Sequence, residues 1–257
     1  MAAATSDLTA DGAIDWLLAA DEPGVRLMAR RDLLGESVAA EDAAEVMSGP
    51  KVQALMSGQM PDGGFGVKPY SKWSGAHWRL VSLVELGVPP GEPNLLAAAE
   101  TVLEWLTSEK HRGGIQVIDG LTRRCASREG NAVAVACRLG MAGDPRVELL
   151  ARSLVEWQWP DGARDAALRT AELLVQHRLF RSLKTGRSID SRWLKLRFPP
   201  YWHYGILQAL TILTRLTDGR WPAEGRWYKH DVLDWGGSGP NEMITLNALR
   251  VLAATGK

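Results

Sequence analysis

Apolar residues recur along most of the chain at the three- and four-residue spacing of an amphipathic helix, and no segment keeps the strict alternation of a half-buried strand. Alanine and leucine dominate these periodic segments, and glycine, proline and aspartate separate them. The pattern predicts an all-α protein. The predicted helices span residues 12–20, 23–35, 41–58, 76–87, 93–108, 129–140, 145–158, 164–180, 202–216 and 240–254.

The predicted helices are of two kinds. Helices such as 94–107 and 145–156 carry charges along one side, whereas four segments are apolar nearly all round after a polar first turn. A helix that is apolar on all sides is buried. An alternation of buried and half-exposed helices is typical of two concentric rings. The four apolar segments read SGAHWRLVSLVELG, SREGNAVAVACRLG, PYWHYGILQALTIL and SGPNEMITLNALRVL.

Glycine-rich turns recur between the helices. They read GQMPDGGF from Gly58, WQWPDGA from Trp157 and TDGRW from Thr217. Recurrence of this kind is the signature of a repeat architecture. The sequence therefore predicts a repeating unit of two helices joined by such a turn.

The turns at Gln59–Phe65 and Gln158–Gly162 resemble the QW motif of the terpenoid-cyclase and protein-prenyltransferase superfamily, to which squalene cyclases belong. The resemblance covers the chain from about Gly49 onwards. It implies an α/α toroid, or α/α barrel, of roughly ten to twelve helices, in which the glutamine and the aromatic residue brace helix ends. It also implies a central cavity for isoprenoids or other apolar molecules. We expect residues 1–257 to form one toroid domain, with the helices of 1–40 packing on the ring.

The sequence also departs from that superfamily. It lacks the D-x-D-D motif with which similar cyclases protonate their substrate, and the D-D-x-x-D motif that ionises a diphosphate with metal ions. Cys125 and Cys137 do not have the C-x-x-C spacing of a zinc site. After Gly162 the chain passes directly into what looks like an outer helix, and a similar shortening occurs at 214–218. We therefore expect a shortened ring, no metal and no other cofactor.

In a toroid, the first turns of the four buried helices would lie around one opening. A mostly apolar cavity with a few convergent polar groups is the usual form of a small-molecule site. The predicted catalytic residues are His77, Glu129, His203 and Glu242. The predicted substrate-binding residues are Trp73, Trp78, Arg124, Asn131, Tyr201, Trp202, Tyr204 and Asn241.

Each of these residue types has a functional and a structural interpretation. A buried carboxyl group becomes a usable general acid, aromatic faces stabilise cations, and arginines such as Arg123, Arg124 and Arg128 bind a diphosphate or carboxylate. Alternatively, Ser127, Asn241 and Glu242 cap helices. In the same structural interpretation, the aromatic residues are packing residues and the arginines lie in a solvated loop.

Two functions of different classes follow. The first is a cyclase- or prenyltransferase-like enzyme that acts on an isoprenoid or polyene by metal-independent general acid catalysis. The second is a non-catalytic toroid that binds a hydrophobic ligand as a carrier, sensor or self-resistance protein. The absent D-x-D-D motif favours the second function, and the histidines and glutamates at one opening favour the first. A carbohydrate enzyme that uses Glu129 and Glu242 ranks last, since the sequence offers little polar cleft.

The composition of the chain restricts the classes of partner that we expect. Lys plus Arg and Asp plus Glu both number 30, and this balance argues against nucleic-acid binding. Two cysteines and the lack of a secretory signal pattern favour the cytoplasm. No apolar run approaches the ~18 residues of a membrane span, while peripheral membrane contact and the oligomeric state stay open. Eleven tryptophans fit aromatic surfaces around a cavity, so the expected partner is a hydrophobic small molecule.

Overall fold

A computed structural model describes residues 10–124, 126–157, 182–194, 222–223 and 239–254. Ten α-helices lie in these residues, with only short strands, so the predicted all-α character is confirmed. The predicted toroid, its shortened ring and the single domain remain predictions. None of the described helices has the length and apolar composition needed to cross a membrane.

The described helices are α1 (Ala10–Leu18), α2 (Pro23–Leu33), α3 (Ala40–Val46), α4 (Pro50–Met56), α5 (Ala76–Glu85), α6 (Pro93–Thr107), α7 (Glu109–Gly113), α8 (Ser127–Arg138), α9 (Pro145–Glu156) and α10 (Glu242–Ala254). A short 3-10 helix covers Ser191–Leu194. Strands β1 (Gln116–Ile118) and β2 (Leu121–Arg123) form an antiparallel hairpin. Strand β3 (Pro222–Ala223) pairs antiparallel with β4 (Gly239–Pro240).

Three local features differ from the predicted elements. The predicted helix 41–58 is two helices, α3 and α4, because Pro50 begins a new helix at a position where its missing N–H costs nothing. Helix α7 and the hairpin of β1 and β2 were not predicted. The hairpin strands have three residues each, too few to show an alternation. The predicted helices 164–180 and 202–216 lie outside the described residues.

The chain falls into two compact units. Unit 1 contains residues 1–51, 170–229 and 234–257, and unit 2 contains 52–169 and 230–233. The first boundary lies within α4.

Unit 1 joins helices from distant parts of the sequence. Helix α2 packs against α1, α3 and α10, and α1 also contacts α10. Arg250 Nη2 pairs with Asp32 Oδ2 at 2.5 Å, and Lys51 Nζ pairs with Glu242 Oε2 at 3.1 Å. The buried core of this unit includes Leu17, Val25, Leu27, Met28, Met243, Ile244 and Leu246.

Unit 2 is built around three helices. Helix α5 packs against α6 and α8, which also contact each other, and α9 packs against α6 and α8. The carboxylate of Glu92 caps α6 by accepting the Leu95 N–H at 2.9 Å, and Asp144 caps α9 by accepting the Arg146 N–H at 2.8 Å. The buried core includes Leu80, Leu83, Leu95, Val102, Leu103, Leu106, Val135 and Leu150.

The turn Gln59–Phe65 is tied to the start of α6. Gln59 Nε2 donates to the carbonyl oxygens of Gly63, at 3.1 Å, and Asn94, at 2.8 Å. Gly63 has a φ of 83° and lies so close to the Ala97 carbonyl that a Cβ would overlap it. The glutamine therefore links a turn to a helix start. The similar segment Gln158–Gly162 lies outside the described residues.

Candidate functional site

The candidate site lies in unit 2, at the amino-terminal ends of α5 and α8. These helices correspond to two of the four segments predicted to be buried, and their first turns carry His77 and Glu129. Both side chains are buried, with exposed fractions of 2% and 1%. Two of the four predicted catalytic residues therefore occupy equivalent places in two packed helices.

Glu129 is held by a buried ion pair. Its Oε1 accepts hydrogen bonds from Arg124 Nε, at 3.0 Å, and from Arg124 Nη2. The same oxygen lies 3.4 Å from His111 Nε2, which also contacts Arg124 Nη2. The exposed side-chain fractions of Arg124 and His111 are only 12% and 8%. A buried carboxylate requires partners of this kind, since an unpaired charge is costly to bury.

This ion pair corrects one interpretation made from the sequence. The side chain of Arg124 is not solvated, because its guanidinium binds a carboxylate of the same chain. Arg128 is not fully solvated either, since its guanidinium carbon lies 4.8 Å from the centre of the Tyr70 ring. The hairpin of β1 and β2 ends at Arg123 and so delivers Arg124 to Glu129.

Aromatic rings connect His77 to the ion pair. The Tyr70 ring lies 5.0 Å from the His77 ring and 5.6 Å from Trp105, on which it stacks. Trp105 lies 4.4 Å from His111, which contacts Glu129. His77 and Glu129 thus belong to one continuous cluster.

Sequence reasoning missed three members of that cluster, Tyr70, Trp105 and His111. Tyr70 lies in the loop before α5, Trp105 lies in the last turn of an outer-type helix, and His111 lies in α7. No repeat or periodicity marks these positions. For Trp105, the only indication in the sequence was the high number of tryptophans.

A narrow pocket lies beside His77, with space for about one water molecule. His77 is the only polar side chain among its lining residues, which otherwise are Leu80, Ala99, Val102, Leu103, Ala132, Val135 and Ala136. On α8, Glu129 precedes Ala132 and Ala136 by three and seven residues and therefore shares their face of the helix. On α5, His77 likewise precedes Leu80. His77 thus lies in the lining of an apolar pocket, and Glu129 shares the face of α8 that carries two of the lining alanines.

Burial determines the protonation of both histidines. It lowers the pKa of His77 to about 4, against the opposing charge of Glu129, and the charge of Arg128 lowers it further. Burial also lowers the pKa of His111, although the hydrogen bond to Glu129 opposes this effect. Both imidazoles are therefore neutral at pH 7. Within the described part of the chain, His77 Nε2 and Glu129 Oε2 have no hydrogen-bond partner.

The other predicted site residues have different positions. Asn241 and Glu242 lie in unit 1, at the start of α10. Asn241 Oδ1 accepts the Ile244 N–H at 3.0 Å, which confirms the capping interpretation for Asn241, and Glu242 pairs with Lys51. The Trp73 ring lies 4.6 Å from Trp78, and Asn131 is partly exposed on α8. His203, Tyr201, Trp202, Tyr204 and Cys125 lie outside the described residues.

Metal-ligating side chains are not clustered in the ranges that the structure describes. No three His, Cys, Asp or Glu side chains there are placed to hold a metal ion. That the protein uses no metal or cofactor stays a prediction.

Comparison of the chain with family models, with curated proteins and with solved structures found no match.

Proposed function

We propose that the protein binds a hydrophobic small molecule of the isoprenoid type in the pocket between α5, α6 and α8, without transforming it. The observation that carries this proposal is the combination of apolar lining residues with one buried, neutral histidine, His77. Small-molecule sites usually combine apolar walls with a few polar groups that orient the ligand. The isoprenoid class is taken from the resemblance to the QW motif.

The protonation of the site favours binding over general acid catalysis. His77 is neutral at pH 7, so it has no proton to give as an imidazolium. Glu129 Oε1 is held by Arg124 in an ion pair. His77 is therefore not in the form that would protonate a double bond, and one Glu129 oxygen already has a partner within the chain.

The pocket must widen to admit a ligand larger than a water molecule. Three of its lining residues are alanines, Ala99, Ala132 and Ala136, which leave space between the helices. Ligand entry would then move the larger side chains, such as Leu80 and Leu103, to other rotamers. Such rotamer changes do not require the backbone to unfold.

A pair of matched variants tests the pocket. Ala132 lines it, whereas Ala134 is exposed on the same helix. We expect geraniol to raise the melting temperature of the wild-type chain and of Ala134→Val, but not that of Ala132→Val, in which two added methyl groups fill the pocket. No effect of geraniol on the wild-type chain, or an equal effect on Ala132→Val, would refute the proposal.

An isoprenoid-transforming enzyme is the second candidate. The observation that favours it is the aromatic cluster at His77, in which Tyr70 and Trp78 contact the imidazole and Trp105 stacks on Tyr70, since aromatic faces can stabilise a cation. Incubation with geraniol and geranyl diphosphate, followed by mass spectrometry, separates the two functions. We expect no product; a product that disappears in His77→Phe would establish the enzyme instead.

A further inference from the structure

We propose that the polar end of the ligand is a hydroxyl group, which binds between His77 Nε2 and Glu129 Oε2. This inference rests on the proposed function and specifies its ligand class. The ligand would be an alcohol with an apolar chain. Hydrocarbons, amines, carboxylates and diphosphates would bind less tightly.

The two atoms are buried polar groups that the fold leaves available. In the described residues neither His77 Nε2 nor Glu129 Oε2 has a hydrogen-bond partner, although both side chains are almost completely buried. Most buried polar atoms in proteins are hydrogen-bonded, so each such exception needs an explanation. The other oxygen of the same carboxylate, Glu129 Oε1, is already bound by Arg124.

His77 lines the pocket, and Glu129 precedes two of its lining residues on α8. His77 itself lines the pocket, followed by Leu80 one turn later on α5. Glu129 is followed by Ala132 and Ala136 on the same face of α8. A ligand with its polar end at the first turns of α5 and α8 would therefore place its apolar chain among these side chains.

The hydrogen-bonding capacities of His77 Nε2 and Glu129 Oε2 favour a hydroxyl group. A carboxylate oxygen such as Glu129 Oε2 only accepts hydrogen bonds, so the ligand must supply a donor. A neutral histidine that carries its proton on Nε2 needs an acceptor. A hydroxyl group is a small, neutral group that provides both. With the proton of His77 assigned to Nε2, an anion lacks the donor for Oε2, an ammonium group lacks the acceptor for Nε2–H, and a hydrocarbon lacks both.

The two arginines near this site already have partners within the chain. Arg124 binds Glu129 through Nε and Nη2, and the Arg128 guanidinium lies over the Tyr70 ring. An anionic ligand would have to compete with Glu129 for Arg124 and would lie beside that carboxylate. This competition disfavours a carboxylate or diphosphate at the polar end of the pocket.

A series of ligands with one carbon skeleton tests the inference. Calorimetry would compare geraniol, geranylamine, geranic acid, geranyl diphosphate and the hydrocarbon of the same skeleton on the wild-type chain. We expect geraniol to bind most tightly. In His77→Phe, its affinity should fall about fivefold to tenfold, the effect of one hydrogen bond, while that of the hydrocarbon stays unchanged.

The outcomes separate the inference from the proposed function. If none of the five compounds binds, the proposed function fails. If some bind but the hydrocarbon, the amine or an anion binds as tightly as geraniol, the hydroxyl inference is wrong and hydrophobic binding stands.

A second measurement serves if His77→Phe does not fold. Nitrogen-15 spectra of the histidines in the wild-type chain should show a shift of the His77 Nε2 signal with geraniol but not with the hydrocarbon. No difference between the two ligands would overturn the inference.

Discussion

Glu22 illustrates at the scale of one residue how burial changes a carboxyl group. Its side chain is completely buried, its Oε2 accepts the Lys51 N–H at 2.9 Å, and its Oε1 has no partner in the described residues. Gly49 leaves the space for Oε1, which a Cβ at that position would overlap. Burial raises the pKa of Glu22, the hydrogen bond and charge of Lys51 oppose the change, and the charge of Glu242 adds to it.

This raised pKa predicts a pH-dependent effect of Glu22→Gln. A carboxyl group whose pKa is raised on folding contributes stability that is complete below its unfolded value, close to 4.5 here, and that is lost as the pH rises through the folded value. A glutamine side chain does not ionise, so the variant does not lose this stability as the pH rises. We therefore expect Glu22→Gln to have a larger free energy of unfolding than the wild-type chain at neutral pH, with a smaller difference at acidic pH.

Urea unfolding of both chains, at pH 7 and near pH 4, measures this difference. Glu104→Gln is the control, because Glu104 is exposed on α6. A difference for Glu22→Gln that does not change with pH would contradict the interpretation of this carboxyl group.

Single residues of the candidate site could be predicted only in part. His77 and Glu129 could be predicted as site residues from the sequence, because each lies in the polar first turn of an apolar helix. The partnership of Arg124 with Glu129 depends on the course of the chain from β2 to α8, which periodicity does not define. The interpretation of Arg124 as a solvated arginine was therefore wrong, whereas its neighbour Arg123 is exposed.

At the scale of elements, helical periodicity was informative where the helices are long. Helices α5, α6, α8 and α9 lie close to their predicted spans, because each presents an apolar face to the core over several turns. The break between α3 and α4 was missed because the apolar pattern continues across it. Short elements such as α7 and β1 contain too few residues for any period to be recognised.

The turn that carries Gln59 predicts unequal effects of two glycine substitutions. Gly58 and Gly63 both have positive φ angles, of 76° and 83°, but only Gly63 lies against another residue, Ala97. We expect Gly58→Ala to destabilise the protein by about 1–2 kcal/mol, the cost of a left-handed alanine. Gly63→Ala should cost more, because its Cβ would also displace α6.

Thermal or urea unfolding of the two variants measures this inequality. The wild-type chain is the reference for both. Equal losses of stability would mean that the contact between Gly63 and Ala97 does not constrain the turn.

At the scale of the whole molecule, the sequence defined the type of the elements better than their arrangement. Repeated turns and buried helices can be recognised as similar to one another in the sequence, but similarity does not say which helices touch. The pairing of α2 with α10, near opposite ends of the described chain, is an example. It results from matched apolar faces and from the pair of Asp32 with Arg250, and neither contact has a local pattern.

That pairing predicts the effect of removing α10. Helix α10 covers α2 and also contacts α1, with Ile244 and Leu246 completely buried. In a chain that stops after Asn241, we expect the amide protons of α1 and α2 to exchange with solvent much faster than in the full chain. Hydrogen exchange followed by mass spectrometry measures both. Unchanged protection of α2 would show that α10 does not complete its core.

The same pairing has a consequence for the synthesis of the protein. More than two hundred residues separate the end of α2 from the start of α10. At ribosomal rates of about 5–20 residues per second, α10 is therefore synthesised roughly ten to forty seconds after α2, the helix that it covers. During translation its apolar face is open to chaperones, proteases and other nascent chains, so the maturation of unit 1 depends on a segment that is synthesised more than two hundred residues after α2.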